Sequence, residues 1–463
     1  MTPEELESSK AIERSVVKKL LIGLIPFLAL LYMFNMLDRS NVSIAALGFK
    51  KELGFSDSWF GFGSGIFYLG YFTFEVPSNL IMERVGARPW IARIMITWGI
   101  ISAAMMFMRT PLSFCILRIL LGIAEAGFFP GVMLYLTYWV PGPIRARVIA
   151  RFLAMTGVLG ILGAPLGGRL LAMNGVAGLH GWQWVFLLEG IPSVLLGLLV
   201  LFVLPNGPAE ARWLTPGEKD WILTSLAHDE ANQIRVSHPS LKTIFADKRV
   251  IHLCLIFIIT SIGGNAVGFF GPLLIKARSG NLWSDQAVAN SMAIPSIVGA
   301  LAMVFAAKHS DLSGNRRAHV VLGYFVAGLG FLACVYAPSA AMVIVALSLN
   351  QLGERCAAGS YWAVTTNLLG VRAAAGGLAF INSVGNLGGF IGPWLMGALK
   401  DHFHGSFTPG LIVAFLLLLV GSALSFWLKP QRSTSPIDSA ACSAPISADD
   451  RELAAPQPEQ IAP

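Results

Sequence analysis

Charged residues are the scarcest component of this sequence. Only 13% of its 463 residues are Asp, Glu, Lys or Arg, and 55% are hydrophobic, whereas a soluble domain carries about 25% charged residues. So little charge cannot cover a water-facing surface, which excludes a soluble multidomain enzyme. The mean hydropathy of +0.66 agrees and indicates an integral membrane protein.

Motifs for catalysis and metal binding are also missing. The five Cys residues are scattered and form neither a CxxC pair nor a Cys/His cluster, so we expect no disulfide scaffold and no metal site. The sequence has no GxxxxGK[ST] phosphate loop, no HExxH motif and no Ser/His/Asp set. We therefore expect a protein that is not an enzyme, needs no cofactor and does not hydrolyse ATP.

Long apolar runs dominate the chain instead. A helix needs about 20 mostly apolar residues to cross a hydrocarbon core of about 30 Å. The runs are too long, and too rich in Gly, for membrane β-strands, so the sequence predicts an all-α membrane protein with twelve transmembrane helices. The predicted spans are 20–46, 58–82, 90–108, 112–140, 148–171, 182–204, 250–275, 287–307, 318–337, 340–368, 375–399 and 409–428.

The positive charges indicate the orientation. Most of the 33 Lys and Arg residues fall in segments on the same side as the N-terminus, and such an excess marks the cytoplasmic side. We expect both termini in the cytoplasm. The net charge of +7 then reflects topology, and no nucleic-acid partner is needed to explain it.

A polar segment divides the spans into two sets of six. Residues 205–249 are expected to form a cytoplasmic loop between a first six-helix bundle, 1–204, and a second one, 250–430. Residues 431–463 are rich in Ser, Ala and Pro and have no apolar period, so we expect a disordered cytoplasmic tail.

A short motif occurs at matching places in the two halves. NLIMERVGARPW (79–90) follows the second span, AKHSDLSGNRR (307–317) follows the eighth, and each places an acid, a Gly and an Arg at the same spacing. The repeat indicates duplicated halves, as in many secondary transporters, in which such loops can latch neighbouring helices. Positive-inside charge alone is the alternative explanation. The candidate latch residues are Glu83, Arg84, Gly86, Arg88, Asp311, Gly314 and Arg316.

With these loops the chain resembles the major facilitator superfamily across residues 15–430. The resemblance implies two pseudo-symmetric six-helix bundles that give alternating access to a central site. Several stretches also resemble its anion:cation symporter branch, which implies uptake of tartrate, phthalate, hydroxyphenylacetate or sugar acids. Those stretches are LDRSNVSIAAL (37–47), YFTFEVPSNLIMERVGAR (71–88), RILLGIAEAGFFPGVMLYLTYWVP (118–141), GWQWVFLLEGIPSVLLG (181–197) and INSVGNLGGFIGPWLMG (381–397).

Six ionisable residues lie well inside the predicted spans. Each costs about 2.5–3.5 kcal/mol at mid-membrane when unpaired, so these side chains must pair with one another, line water, or both. They are balanced, with as many acids as bases. The six are Asp38, Arg39, Arg118, Glu125, Glu354 and Arg355.

The first span carries a polar stripe with two of these charges. Tyr32, Asn35 and Arg39 follow an i, i+3, i+7 spacing and share one helix face. A guanidinium suits a substrate carboxylate, and the neighbouring Asp38 can take up and release a proton. A structural ion pair that locks the first helix to a neighbour is the alternative.

In the fourth span, Arg118 and Glu125 are seven residues apart and share a face with Gly122 between them. Arg118 is a second candidate for anion binding, and Glu125 is a second candidate proton carrier. The family resemblance implies the same roles for acids that match Asp38 and Glu125 and for arginines that match Arg39 or Arg118. A mutual Arg118–Glu125 ion pair is the alternative.

The second half offers weaker candidates. Glu354 and Arg355 either contact the substrate or form an ion pair, with each other or with a first-half arginine. Neutral amides and hydroxyls can bind a carboxylate or hydroxyl group without a charge cost, although they can equally serve as interhelical contacts. These further candidates for substrate contact are Asn265, Tyr361, Asn382 and Asn386.

Together these features predict a secondary active transporter in the bacterial plasma membrane. We expect it to work as a monomer in the lipid bilayer and to import a small organic anion by proton symport. A sugar acid, a dicarboxylate and an aromatic acid all fit such a site. A sodium-coupled or exchange carrier for organic anions is the alternative.

Overall fold

The computed structural model describes residues 3–234 and 247–428, and in these residues every regular element is a helix. The predicted tail, 431–463, and residues 235–246 of the predicted loop lie outside the described residues. The first half and the segment after it contain α1 (Pro3–Lys19), α2 (Ile25–Glu52), α3 (Asp57–Val85), α4 (Ala87–Ala104), α5 (Pro111–Glu125), α6 (Phe128–Thr137), α7 (Gly142–Gly160), α8 (Gly163–Leu171), α9 (Gly181–Val203) and α10 (Pro216–Ile234).

The second half has fewer but longer helices. A π-helical turn, Leu20–Leu24, joins α1 to α2 in the first half, and the corresponding first helix of the second half is uninterrupted. The second-half helices are α11 (Lys248–Arg278), α12 (Asp285–Ser291), α13 (Ala293–Ser313), α14 (Arg316–Tyr336), α15 (Ala340–His402) and α16 (Thr408–Ser425).

Side-chain caps fix where several of these helices begin. The Ser56 hydroxyl accepts a hydrogen bond from the N–H of Trp59 at 3.2 Å, and Thr110 and Ser113 form a reciprocal capping box. Such caps bind N–H groups that have no partner within the helix. The predicted second and fourth spans therefore begin one residue before their predicted starts.

Eight helical stretches in the described part of the chain are long and apolar enough to cross a membrane. The other four predicted spans correspond to α3, to α7 with α8, and to the two arms of α15. These four contain more polar or small residues, which lowers their hydropathy. The prediction of an all-α protein is confirmed for the described residues.

The sequence predicts separate tenth and eleventh spans with a short break between them, and the structure has no break in helix at that boundary. The structure joins them in the single helical element α15. A straight helix would place Glu354 and Asn386 about 48 Å apart at 1.5 Å per residue, yet both line one cavity. The chain therefore turns back between these two residues, and the two arms of α15 correspond to the two predicted spans.

Three other predicted spans are interrupted. The fourth is broken between α5 and α6 at Gly127, whose φ is +85°. The fifth is divided between α7 and α8, and the eighth between α12 and α13. Apolar periodicity continues across these breaks, so the sequence pattern did not reveal them.

The two halves meet at the end of α2 that is opposite to α1. Lys50 and Lys400 both form ion pairs with Asp57, at 2.9 and 2.8 Å. The carboxylate of Asp401 accepts hydrogen bonds from the N–H groups of Asp57 at 3.1 Å and Ser58 at 2.7 Å. We call this group the Asp57 network. It joins the start of α3 in the first half to the end of α15 in the second.

At the opposite face, α10 packs on α1. Glu218 accepts hydrogen bonds from Ser15 and Lys19, each at 2.7 Å, and the Trp221 indole donates to Ser9 at 3.2 Å. The segment predicted only as a polar loop thus contains a docked helix. The reason is that its charged residues pair with the N-terminal helix instead of facing only water.

Candidate functional site

A cavity of about 580 Å³ lies between the two halves. Helices α2 and α3 form its wall in the first half, and α11, α14 and α15 form its wall in the second. Six of the predicted site residues line it: Tyr32, Arg39, Asn265, Glu354, Arg355 and Asn386.

Arg39 and Glu125 form an ion pair at the edge of this cavity. The Arg39 Nε lies 2.5 Å from Glu125 Oε1, with 24% of the Arg39 side chain exposed and none of Glu125. The guanidinium also lies over the ring of Tyr71, 4.7 Å from its centroid. Arg39 therefore faces the cavity on one side and an enclosed carboxylate on the other.

The break in the fourth span positions Glu125. Glu125 is the last residue of α5, and Gly127 takes a left-handed conformation that residues with a Cβ rarely adopt. One turn earlier, Gly122 packs so closely on α3 that a Cβ would collide with the backbone carbonyl of Phe67. Small residues at these positions allow the carboxylate to approach Arg39.

Asp38 points away from the cavity into a buried polar cluster. It is 1% exposed, and its Oδ1 accepts hydrogen bonds from Asn41 at 2.9 Å and from Ser102. Its Oδ2 has no hydrogen-bond partner among the described residues. Adjacent residues on a helix lie about 100° apart. Asp38 therefore faces the buried cluster, while Arg39 of the same turn faces the cavity.

Arg118 is buried behind the cavity wall and does not line it. The guanidinium is 4.7 Å from the centroid of Phe67, and Nη2 donates to the Ser64 carbonyl at 3.2 Å. No residue in the part of the chain that the structure describes forms a hydrogen bond with its Nε or Nη1. The predicted Arg118–Glu125 pair is not formed, because Arg39 is the residue that pairs with Glu125.

The second-half wall is mostly polar. Asn265 accepts a hydrogen bond from the Tyr68 hydroxyl of the first half at 3.1 Å and donates to the Ser261 carbonyl at 2.9 Å. The carboxylate of Glu354 lies against Gly264. Arg355 is exposed and its Nε donates to Gln351 at 3.4 Å. No ion pair joins Glu354 to Arg355, two side chains that the structure describes.

Three other predicted substrate contacts lie away from the cavity lining. Asn35 is fully buried, and neither polar atom of its amide has a hydrogen-bond partner within residues 3–234 and 247–428 as described. Tyr361 is buried behind Phe257, and its hydroxyl donates to the Leu253 carbonyl at 2.8 Å. Asn382 is half-buried in α15 one turn from Asn386.

Sequence reasoning missed several residues that the structure brings to the site. Tyr68 and Tyr71 contact Asn265 and Arg39, and Ser102 binds Asp38. Tyr68, Tyr71 and Glu75 follow an i, i+3, i+7 spacing, which could have revealed a polar stripe on the second span. No signal in the sequence marks Ser102, because a single Ser in an apolar helix is ordinary.

The candidate latch loops share one backbone feature. Gly86 and Gly314 end α3 and α13 with φ values of +99° and +64°, and Arg316 begins α14. Arg88 lies 3.7 Å from Glu210, while Glu83 and Arg84 are exposed. The side chain of Asp311 is outside the described part of the structure.

No group of three or more potential metal ligands occurs among the described residues. The model of the Major Facilitator Superfamily matches residues 28–282 and 253–456.

The chain belongs to the major facilitator superfamily. A "Putative tartrate transporter" of Agrobacterium vitis is 45% identical over 417 residues, covering 90% of this chain and 92% of the relative. A "Quinolone resistance transporter" of Acinetobacter baumannii is 35% identical, covering 89% and 95%. A crystal structure of a bacterial homologue of the human lysosomal transporter Spinster has a TM-score of 0.74 at 17% identity, covering 91% and 99%.

These findings confirm the resemblance inferred from the motifs and the predicted fold. The chain is a multi-pass membrane transporter, and the expectation that it is not an enzyme is confirmed.

Proposed function

We propose that this transporter imports a small organic anion together with a proton across the bacterial inner membrane, with both termini in the cytoplasm. The observation that carries the proposal is the Arg39–Glu125 ion pair. It joins a guanidinium that lines the cavity to a carboxyl group that is fully enclosed behind it. A substrate carboxylate can therefore bind to Arg39 and a proton to Glu125, so that both ligands affect the same ion pair.

The coupling follows from competition for Arg39. When Glu125 is ionised it occupies the guanidinium and disfavours a second carboxylate beside it. When Glu125 is protonated the charge of Arg39 is available, and a substrate carboxylate can bind its fork of donors. Loss of the proton restores the Arg39–Glu125 pair and expels the anion, so the two ligands load and leave together.

Asp38 supplies a second proton position. Asp38, Glu125 and Glu189 are each no more than 2% exposed, and they share the first-half core with the cations of Arg39 and Arg118. Three carboxyl groups against two guanidinia are neutral only when one carboxyl holds a proton. An enclosed cluster inside a membrane favours neutrality, because an unpaired charge there is costly.

The cavity supports a carboxylate substrate that also carries hydroxyl groups or a ring. Arg39 and Arg355 provide positive charge from the two halves, and Asn265 and Asn386 provide neutral hydrogen-bonding groups. Tyr32 and Tyr68 add aromatic surface. A relative that shares 45% identity carries tartrate in its name, and a hydroxylated dicarboxylate fits the same set of groups.

Alternating access would operate between the two bundles, residues 1–204 and 250–430. The Asp57 network holds the halves together at one end of the cavity, which supports a conformation closed on the periplasmic side. The loop glycines Gly86 and Gly314 at matching positions support the latch role of both loops.

The test is transport into proteoliposomes under an imposed proton gradient. Tartrate and other carboxylates should accumulate uphill and carry protons inward, recorded as substrate-dependent alkalinisation of the external medium. The variants Glu125→Gln and Asp38→Asn should lose uphill uptake and keep part of the exchange of labelled for unlabelled substrate. As a matched control, Lys51→Gln removes an exposed charge outside the cavity and should leave both unchanged.

Three results would contradict the proposal. Normal accumulation by both acid variants would remove the assigned proton carriers. Uptake that follows sodium at a fixed proton gradient would instead establish a sodium-coupled carrier, and strict dependence on internal substrate would establish an exchanger.

Export of an aromatic compound is the second candidate function. A relative at 35% identity is named for quinolone resistance, and Tyr32, Tyr68, Phe257 and Phe269 give the cavity aromatic surface. An exporter would lower the cellular content of a quinolone when expressed. An importer would leave quinolone content unchanged while supporting uptake of a carboxylate.

A further inference from the structure

A second cavity, of about 380 Å³, lies away from the transport pathway, between α1 with the following turn and α7. It is at the end of the first half where α1 leads into the first membrane span, opposite to the Asp57 network. We call this side of the protein the α1 face. Its lining is basic and apolar. The lining residues are Glu13, Arg14, Val17, Lys18, Leu21, Ile22, Arg147 and Arg151.

The spacing of these residues gives each helix one continuous cationic face. Arg14 and Lys18 are four residues apart, and Leu21 continues the same face toward the membrane. Arg147 and Arg151 are also four residues apart and face the cavity from α7. Four cations from two helices thus converge on one space, and among its described lining residues Glu13 is the single acid.

The four cations are available for a ligand. None of them forms an ion pair of 4 Å or less with a residue that the structure describes, and all four are exposed. Neighbouring basic residues behave differently, because Lys19 pairs with Glu218 at 2.7 Å and Arg145 lies 3.8 Å from Asp229. The acids of α10 therefore pair with the adjacent basic residues, and in the described lining of this cavity only Glu13 opposes the four cations.

The apolar part of the lining indicates the kind of anion. Val17, Leu21 and Ile22 form the wall nearest to the membrane span, and Ile22 is 68% exposed. A soluble anion gains nothing from such a wall. A phospholipid places its phosphate among the cations and its acyl chains along the apolar side chains, and a basic pocket between membrane helices is suited to this.

We propose that this cavity binds the headgroup of an anionic phospholipid in the leaflet on the α1 face. Arg147 and Arg151 donate charge-assisted hydrogen bonds to the phosphate from α7, and Arg14 and Lys18 do so from α1. Bound lipid then links α1, which also carries α10, to α7. The site does not depend on which substrate the central cavity carries.

The experiment compares lipid binding by native mass spectrometry of the full chain in detergent. The wild type should bind phosphatidylglycerol or cardiolipin in preference to phosphatidylcholine. The double variant Arg147→Gln/Arg151→Gln should lose about tenfold to thirtyfold in affinity for the anionic lipids, because each surface cation contributes to attraction. Its affinity for phosphatidylcholine should not change.

Lys51→Gln/Arg109→Gln is the matched control, since it removes two exposed cations elsewhere. It should bind anionic lipid as the wild type does. The single variant Ile22→Ser keeps every charge and should still weaken phosphatidylglycerol binding. Equal affinities in the wild type and the arginine double variant would overturn the proposal. Displacement of the lipid by millimolar inorganic phosphate, with no effect of Ile22→Ser, would also overturn it and indicate a soluble phosphate site.

Discussion

At the scale of single residues, Arg39 combines three roles in one guanidinium. It lines the cavity, forms the ion pair with Glu125 and lies over the ring of Tyr71. The planar group can do this because its donors point in several directions and its faces stack on aromatic rings. A compact ammonium group offers neither the fork nor the flat face.

Arg39→Lys keeps the charge and should nevertheless raise the KM for a carboxylate by about tenfold or more, because bidentate contact is lost. Initial rates of uptake in proteoliposomes measure this. Arg355→Lys is a useful companion variant, since Arg355 makes only a long hydrogen bond to Gln351 and should be affected less. A larger effect at Arg355 would place the main anion contact in the second half.

At the scale of elements, interrupted helices position the charged groups. The break between α5 and α6 leaves Glu125 at a helix end, and the reversal within α15 brings Glu354 and Asn386 to the same cavity. Close packing without a Cβ, as at Gly122 on Phe67, keeps such helices together. The site therefore depends on backbone conformation as well as on side chains.

Gly127→Ala should lower the melting temperature by about 2–5 °C, because φ at this residue is +85° and a Cβ would also collide with Ser78. The displaced Glu125 should reduce uptake in the same variant. Gly359→Ala is the control, since a Cβ there meets no atom within 4 Å. A melting temperature and uptake equal to those of the wild type would show that the break tolerates a side chain.

The stability of the contact between α10 and α1 should change with pH only under acidic conditions. Burial raises the pKa of Glu218, but hydrogen bonds from Lys19, Thr215 and Ser15 outweigh it and bring the pKa to about 2, below its ordinary value of 4.5. The contribution of the Glu218 carboxylate to the stability of this docking is therefore complete above about pH 4.5, and it is lost as the pH falls toward 2. Between pH 5 and 8 it should be constant.

Hydrogen exchange of the α1 amides measures this docking. Glu218→Gln should increase their exchange at neutral pH, because both Lys19 and Ser15 lose their carboxylate partner. The variant should also lose the change that the wild type shows between pH 4.5 and 2. Unchanged exchange at neutral pH would mean that the apolar contacts of Val16 and Leu20 hold α1 without this ion pair.

At the scale of the whole molecule, the two halves are joined by charge at one end of the cavity. The Asp57 network is partly buried, with 10% of the Asp57 side chain and 13% of the Lys400 side chain exposed. Partly buried pairs with backbone hydrogen bonds are stronger than exposed ones. This network should therefore bias the equilibrium between the two access states.

Asp57→Asn should shift that equilibrium by about 1 kcal/mol, or about fivefold, toward opening at this end. A Ser40→Cys reporter in the cavity, in a chain without other cysteines, measures it through its rate of labelling by an impermeant thiol reagent from the Asp57 side. Labelling should accelerate in Asp57→Asn and stay constant in Lys51→Gln. Equal rates in all three would show that the network does not control access.

The sequence alone showed that this protein is embedded in a membrane, that it is helical and which family it belongs to. Scarce charge and long apolar runs leave few alternatives, and the motifs at 79–90 and 307–317 indicated duplicated halves. The sequence also indicated which first-half charges are candidates for the site, because any ionisable residue inside a span has to be stabilised. These inferences rest on local composition and residue spacing, and both can be read directly from the sequence.

Only the tertiary structure decided which charges meet. Arg39 rather than Arg118 pairs with Glu125, Asp38 faces Ser102, and the tenth and eleventh spans form one helical element. The sequence places Arg118 on the same helix face as Glu125, but a glycine break between α5 and α6 and the close approach of α3 decide the partner. Pairing depends on how helices distant in sequence cross, and helical periodicity carries no information about that crossing.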